Sequence, residues 1–221
     1  MAFGVLLNIR RKAWQYLAVI GFLGAALVVM GAPGAVHAQE AGGALEAPDK
    51  FVQIVGNRAL EAVRNDAAAK RGDVSRIHEL VNQYLLPHTN FEKTTRLAVG
   101  QHWRKATDEQ KRELVAAFQG TLLRTYGSAL SGVDKIRAFR TLPFRGDANA
   151  DDVVVRSVFT QRNGPDVAVD YRLERTPGGW KIYDVNVEGI WLIQTYRTQF
   201  SQQVNQAGID GLIDLLNQKN R

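Results

Sequence analysis

The hydrophobic periodicity of this sequence changes from a helical to a strand pattern at Gly132, and the change favours folds in which several helices precede a sheet. Before Gly132, apolar residues recur every three or four positions, as on amphipathic helices. After it, short β-branched and aromatic runs alternate with polar residues, as in strands with one buried face. Helices followed by an antiparallel meander are typical of the α+β class, in which helices cover one face of a curved sheet.

The helical part is predicted to cover about residues 48–132. Apolar residues at helical spacing predict helices over about 48–66, 73–86, 90–99 and 107–131. The longest begins with Thr107-Asp108-Glu109-Gln110, a capping box in which the threonine and glutamine side chains bind free backbone N–H groups. Gly120 and Gly127 lie inside it, where each costs up to about 1 kcal/mol relative to alanine. We interpret both glycines as places where another element packs closely.

The sheet part is predicted to cover about residues 133–190, with about four strands. The runs are 136–142, 153–161, 167–175 and 180–187. Alternation is sharpest in the third run, where apolar residues face one way and charged residues the other. Two C-terminal helices, over about 191–207 and 210–217, complete a single domain.

The first 38 residues have the pattern of a secretory signal peptide. Arg10-Arg11-Lys12 precedes an apolar stretch from Leu17 to Met30, which is too short to span a membrane as a helix. Small residues in Val36-His37-Ala38 predict cleavage after Ala38, which leaves residues 39–221 as the exported domain. An uncleaved anchor is the alternative, and the arginine pair leaves Sec and twin-arginine export both open.

Charge and cysteine content exclude several classes of protein. The leader holds three of the 28 basic residues and none of the 22 acidic ones, so the exported chain has a net charge of about +3. No run of like charges suggests a concentrated basic face, and we expect no nucleic-acid partner. The chain has no cysteine, which excludes disulfides, thiolate metal sites and a lipid-modified N-terminal cysteine.

The sequence contains only incomplete versions of the motifs that proteins use for catalysis or metal binding. His78-Glu79 begins like a zinc-protease motif, but Asn82 stands where the second histidine belongs. Asp170-Tyr171 and Tyr183-Asp184 could supply the acid and phenol of a cone-shaped isomerase site, but adjacent strand residues point to opposite faces. We therefore predict no catalytic residue, no metal and no cofactor. A small enzyme remains an alternative.

The apolar face of the predicted sheet must be covered either by helices, as an ordinary core, or by an apolar ligand. We select residues on the third and fourth strands, together with four on the long helix, as the candidate lining of an apolar pocket. These candidates are Leu114, Phe118, Leu122, Tyr126, Val167, Val169, Tyr171, Leu173, Tyr183, Val185 and Val187.

Six regions, in order along the chain, resemble the MlaC family, also called the toluene-tolerance family. They are Tyr84–Pro87, Ala98–Thr107, Leu122–Leu130, Val169–Arg172 with Trp180–Gly189, Tyr196–Phe200, and Gly208–Ile213. The resemblance covers essentially the whole exported chain. It implies an NTF2-like arrangement of sheet and helices that encloses a pocket for acyl chains, so that the eleven candidates would be lipid-binding residues.

The resemblance further implies a periplasmic phospholipid carrier that shuttles lipid between the outer and inner membranes as part of an ABC transport system. The implied partners are an inner-membrane ABC lipid transporter complex and an outer-membrane lipoprotein complex. Family members usually have a small residue where this chain has Trp191, whose bulk is expected to reshape the pocket mouth. A related branch of the family is linked to hopanoid metabolism, so a hopanoid or other sterol-like cargo is the alternative. Basic residues near the capped helix are candidates for a docking surface: Arg104, Lys105, Lys111 and Arg112.

Overall fold

A computed structural model describes residues 46–147 and 149–220 of the chain. The predicted signal peptide, residues 1–38, lies outside the described residues. Within the described ranges, no helix is long and apolar enough to cross a membrane. The position of signal-peptide cleavage therefore stays a prediction.

The helices of the described ranges follow the predicted order. They are α1 (Pro48–Arg64), α2 (Ala67–Lys70), α3 (Val74–Tyr84), α4 (Phe91–Val99), α5 (Asp108–Leu130) and α6 (Leu192–Lys219), with 3-10 turns at Leu86–His88, Gly100–Lys105 and Ser131–Lys135. The four helices predicted before the sheet are confirmed to within a few residues. The four-residue α2 was not predicted, because one helical turn is too short to show a hydrophobic period.

Local capping explains where these helices begin and end. The Asp73 carboxylate accepts a hydrogen bond from the backbone N–H of Arg76, at the start of α3. The predicted capping box at α5 is confirmed: Thr107 N donates to Gln110 Oε1 over 3.0 Å, and Gln110 N donates to Thr107 Oγ1 over 3.1 Å. Gly100 ends α4 with a φ of +65°, a conformation that residues with a Cβ rarely adopt.

The C-terminal helix α6 consists of two helical segments joined at Gly208. This residue has φ +74° and ψ −176°, outside helical values, so the backbone changes direction there. The predicted break between residues 207 and 210 is confirmed.

Close packing accounts for one of the two glycines inside α5. A Cβ at Gly120 would lie only 2.7 Å from Nδ2 of Asn220, so the end of α6 approaches the α5 backbone closely. The surroundings of Gly127 lie outside the described residues, and its role stays a prediction.

Within residues 46–147 and 149–220, the sheet contains five antiparallel strands, each paired with the next along the chain. They are β1 (Ile136–Thr141), β2 (Asp152–Gln161), β3 (Val167–Thr176), β4 (Gly179–Val187) and β5 (Ile190–Trp191). The four predicted strands are confirmed, whereas β5, two residues long, is too short to show alternation. We call the face that carries Val169 and Leu173 the first face of the sheet, and the face that carries Arg172 and Glu174 the second face.

A β-bulge in β4 changes which face its side chains occupy. Arg172 pairs with Asp184, whereas the next residue, Leu173, pairs with Ile182, so Tyr183 is an extra residue in β4. An extra residue interrupts the strict alternation of side chains along a strand. Tyr183 and Asp184 consequently both make their side-chain bonds on the second face. The prediction that these neighbours point to opposite faces is wrong.

Two hydrophobic cores form in the described residues. The sheet core lies between the first face and helices α1, α2 and α3; its buried side chains include Val52, Leu60, Val63, Ile77, Leu80, Phe139, Val155, Phe159, Val169 and Leu173. The helical core joins α4, the turn after it, α5 and α6; its buried side chains include Val99, Trp103, Leu114, Phe118, Tyr196, Phe200, Leu212 and Leu216.

Side chains of α1 hydrogen-bond to the backbone of the edge strand β1. Gln53 Oε1 accepts from Thr141 N over 2.8 Å, and Gln53 Nε2 donates to Phe139 O over 3.3 Å. Arg64 Nη2 donates to Ile136 O over 3.0 Å. These bonds fix the position of α1 relative to the sheet.

Candidate functional site

Four apolar side chains on the first face of the sheet are only half-buried. They are Tyr171 on β3 and Ile182, Val185 and Val187 on β4, and all four pack against the sheet core. Their neighbour Leu173 is 0% exposed. We call these four residues the apolar floor.

The four floor residues lie on two neighbouring strands and on the same face of the sheet. Tyr171 and Val185 are direct cross-strand partners, whereas Ile182 lies opposite the buried Leu173 and Val187 lies opposite the buried Val169. Such partners have Cβ atoms about 4.5–5.5 Å apart, close enough for their side chains to touch. The floor residues and the core residues between them therefore form one apolar patch on this face.

Helix α3 borders the floor, and α5 runs beside α3. Val81 and Tyr84 of α3 are partly buried and pack against the sheet core. Gln119 of α5 donates a hydrogen bond of 3.4 Å to Asn82 of α3. Val81 and Tyr84 thus add apolar surface beside the sheet core, and the polar pair links the two helices.

Hydroxyl groups are present at the floor, but its four side chains carry no charge. Burial raises the pKa of Tyr171 above its ordinary value, so its phenol stays protonated at every physiological pH. The neighbouring Ser157, 1% exposed, donates to the backbone oxygen of Val169 over 2.8 Å. Such a surface favours an uncharged, apolar group over an ionic one.

Six of the eleven candidate residues come together on the first face of the sheet. Three of them, Tyr171, Val185 and Val187, belong to the apolar floor. The other three, Val167, Val169 and Leu173, are at most 1% exposed and form the core beneath the helices.

Ile182 belongs to the floor but was not among the candidates. Strict alternation along β4 assigns it to the face opposite Val185, and the bulge moves it onto the same face. The register across β3 would have identified Ile182, but a single strand pattern does not contain that register.

The helix candidates mostly lie elsewhere. Leu114 and Phe118 are fully buried in the helical core, and Leu122 packs against the same core. Tyr126, one turn further along α5, is half-buried. The hydrophobic stripe on α5 was correctly identified, but a stripe alone does not show which of two cores it contacts.

Tyr183 lies across the sheet from the floor. Its hydroxyl donates to Asp152 Oδ1 over 2.7 Å, and Lys93 Nζ lies 3.7 Å from the centre of its ring. Lys93 Nζ also donates to Glu174 Oε2 over 2.8 Å. Because Lys93 belongs to α4, this group of polar contacts attaches α4 to the second face. The common face expected for Tyr183 and Val185 is not observed.

We expect Tyr183→Phe to lower the free energy of unfolding by about 1 kcal/mol, because it removes the hydrogen bond to Asp152. A ligand on the apolar floor should be retained, because Tyr183 does not reach that face. Urea denaturation would measure the first effect, and native mass spectrometry of the purified protein the second. Tyr171→Phe, on the floor itself, is the matched comparison. Loss of ligand from Tyr183→Phe, but not from Tyr171→Phe, would contradict the placement of Tyr183 away from the ligand.

Trp191 also lies on the second face. It pairs with Asn186 across the β4–β5 ladder, and the Arg172 guanidinium stacks on its ring at 4.0 Å. This cation–π contact places the indole across the sheet from the floor. The effect of Trp191 on the pocket mouth stays a prediction.

Asp184 anchors the start of α6. Its Oδ1 accepts from Val185 N over 2.9 Å and from Ile193 N over 3.1 Å, and its Oδ2 accepts from Arg172 Nη1 over 3.1 Å. Burial raises the pKa of Asp184, and these bonds oppose the rise. Although Tyr183 and Asp184 share a face, each is bound to a different partner, so they do not form a free acid–phenol pair. In the described ranges, no group of three or more acidic or histidine side chains is arranged to hold a metal ion.

Comparison with known proteins links this geometry to lipid binding. Residues 53–218 match the MlaC protein family. The chain is 26% identical over 168 residues to the toluene tolerance protein ttg2D of Pseudomonas putida, covering 76% of this chain and 77% of that protein. It is 22% identical over 178 residues to the intermembrane phospholipid transport system binding protein MlaC of Haemophilus influenzae, covering 77% and 81% of the two chains.

A solved structure shares both the fold and the sequence pattern. It is the phospholipid-binding protein from Ralstonia solanacearum in complex with a phospholipid, at 36% identity and a TM-score of 0.75. The alignment covers 79% of this chain and 97% of that one. Nearly the whole of a lipid-bound protein is thus matched by the part of this chain that contains the apolar floor.

Proposed function

Because this chain belongs to the MlaC family, we propose that it is a lipid carrier that holds the acyl chains of a phospholipid against the apolar floor. The observation that carries this proposal is the match to a protein solved with a phospholipid bound, 97% of which is covered at 36% identity. The floor supports it independently, since four half-buried apolar side chains on one sheet face form a surface to which hydrocarbon chains can bind. Of the eleven candidates, we propose Tyr171, Val185 and Val187 as lipid contacts, together with Ile182.

The size of the hydrophobic effect determines how such a carrier works. Two acyl chains contain on the order of 30 methylenes, and at about 0.8 kcal/mol each their burial is worth roughly 24 kcal/mol before the costs of binding are subtracted. Even half of this value makes escape into water very slow. The carrier therefore transfers its cargo where the chains pass directly into another apolar environment.

The periplasm and two membrane complexes are the setting that we propose for this transfer. The Haemophilus relative is named as the binding protein of an intermembrane phospholipid transport system. By this kinship, the partners are an inner-membrane ABC lipid transporter complex and an outer-membrane lipoprotein complex. Export through the signal peptide at residues 1–38 would place the chain between the two membranes.

Binding without catalysis is the activity that the site supports. The relatives are named for phospholipid binding and transport. The acid and phenol that an isomerase would need are held by other partners, Tyr183 by Asp152 and Asp184 by Arg172. The floor itself has only one hydroxyl side chain, Tyr171, which burial keeps protonated.

The decisive experiment is native mass spectrometry of the protein purified from the envelope of its own cells. We expect a complex with one diacyl phospholipid, and N-terminal sequencing of the same sample should read Gln39-Glu40-Ala41. A hopanoid in place of the phospholipid would change the cargo class and leave the carrier role. A protein that is empty, and that takes up no lipid from phosphatidylethanolamine vesicles, would contradict the proposal.

A further inference from the structure

A cleft lies away from the apolar floor, between the 3-10 turn Gly100–Lys105 and the first half of α6. It is an open cleft of about 430 Å³. Its lining combines Val99 and Gly100 with six residues that carry polar side chains: Gln101, His102, Arg197, Thr198, Ser201 and Gln202. None of the four floor residues contributes to it. We call it the Arg197 cleft.

The turn at Gly100 makes room for a cation. With φ at +65°, a Cβ on Gly100 would lie 3.3 Å from Nε of Arg197 and 3.7 Å from its Nη2. The guanidinium therefore rests directly against the glycine backbone, at the wall of the cleft. A larger residue would displace it and would also be strained at this φ.

Donor groups in the cleft lack partners. Within residues 46–147 and 149–220, the Arg197 guanidinium makes no ion pair or hydrogen bond, and neither do the hydroxyls of Thr198 and Ser201. His102 is only 7% exposed, yet its Nε2 has no hydrogen-bond partner. Buried polar atoms are almost always hydrogen-bonded, so an unpartnered nitrogen beside a cleft indicates that a bound group or water completes it.

The surroundings of the cleft are electropositive. Arg96 at the end of α4, and Arg104 and Lys105 in the 3-10 turn, are exposed, and none of them forms an ion pair in the described part of the chain. No carboxylate lines the cleft. By contrast, Lys111, expected on a docking surface, is paired with Asp108 at 2.9 Å. The unpaired cations raise the local potential and attract an anionic partner.

We propose that the Arg197 cleft receives a glutamate or aspartate side chain of a protein partner and so docks the carrier during lipid transfer. A guanidinium recognises a carboxylate through two parallel hydrogen bonds, and the nearby hydroxyls can donate to the same group. The concave shape selects a protruding side chain, because a flat layer of lipid head groups meets only the rim. The identity of the partner as a lipid donor or acceptor rests on the proposed function, whereas recognition of a carboxylate does not.

The proposal can be tested by NMR on the purified protein, with the amide signals of cleft residues as the readout. The probe is the end-blocked peptide Gly-Glu-Gly-Glu-Gly, with Gly-Gln-Gly-Gln-Gly as its uncharged counterpart. We expect the glutamate peptide to shift the amide signals of Gly100, Gln101 and Thr198 in a saturable manner. Arg197→Gln should weaken this binding at least tenfold. Arg140→Gln, an exposed arginine on β1, is the matched control and should leave binding unchanged.

Two outcomes would overturn the proposal. Equal binding of both peptides, or equal binding by Arg197→Gln, would show that the cleft does not recognise a carboxylate. Shifts caused by vesicles of phosphatidylcholine with phosphatidylglycerol, but not by the peptide, would assign the cleft to a membrane surface. Lipid content of Arg197→Gln, measured in parallel, should equal that of the parent protein. A lipid-free parent protein that still binds the glutamate peptide would contradict the carrier function and leave the cleft proposal standing.

Discussion

Replacing Phe118 with alanine should lower the free energy of unfolding by about 3–5 kcal/mol. Phe118 is 0% exposed. Its ring centre lies 5.6 Å from that of Phe91, 4.8 Å from that of Tyr196 and 4.9 Å from that of Phe200, so it joins α4, α5 and α6. Truncation removes these aromatic contacts and leaves a cavity that three helices would have to collapse to fill. Urea denaturation followed by circular dichroism measures the loss.

Two companion variants separate packing from ligand binding. Phe118→Leu keeps most of the volume and should cost clearly less than alanine. Ile54→Ala, at an α1 position that is 39% exposed, should change the free energy of unfolding by less than about 0.5 kcal/mol. A stable Phe118→Ala protein that has lost its lipid would instead make Phe118 part of the pocket wall, as the stripe on α5 first indicated.

Replacing Val185 with aspartate should empty the apolar floor of lipid while the protein stays folded. Val185 is half-buried, so a carboxylate there can be hydrated when the space above the floor holds water. Against acyl chains the same carboxylate would lose its hydration, at a cost of several kcal/mol. Lipid extraction and native mass spectrometry measure the cargo, and thermal unfolding reports on the fold.

The controls for Val185 use the two sides of the sheet. Val154→Asp, at a β2 position that is 42% exposed, should retain both lipid and stability. Val169→Asp, at a position that is 1% exposed, should unfold the protein instead of selectively removing its cargo. Full lipid content in Val185→Asp would mean that the acyl chains lie elsewhere.

The elements of this fold were predictable from the sequence where their causes are local. The capping box at Thr107 and the positive φ at Gly100 depend on a few neighbouring residues. The start of α5 and the end of α4 were therefore both predicted correctly. The four longer strands were predicted for the same reason, because the alternation of apolar and polar residues is visible within each strand on its own.

Long-range pairing accounts for what the sequence did not reveal. Whether Ile182 or Tyr183 lies on the first face depends on the register of β4 against β3. The one extra residue in β4 places Ile182 there instead of Tyr183. Likewise, Leu114 and Tyr171 are both apolar residues on amphipathic elements, yet they belong to different cores because α5 also packs against α4 and α6. The Arg197 cleft was missed because its two walls are about 100 residues apart in sequence.

The bonds from α1 to β1 have a consequence for how the carrier behaves among other copies of itself. A free edge strand is a template on which another chain can add a strand and begin an intermolecular sheet. Gln53 and Arg64 occupy the outward backbone groups of Ile136, Phe139 and Thr141 at one edge. At the other edge, β5 pairs with the end of β4, and Asn90 N donates to Ile182 O over 2.8 Å. A protein whose apolar floor is uncovered after each delivery is thereby protected from self-association through its sheet at the stage when that risk is greatest.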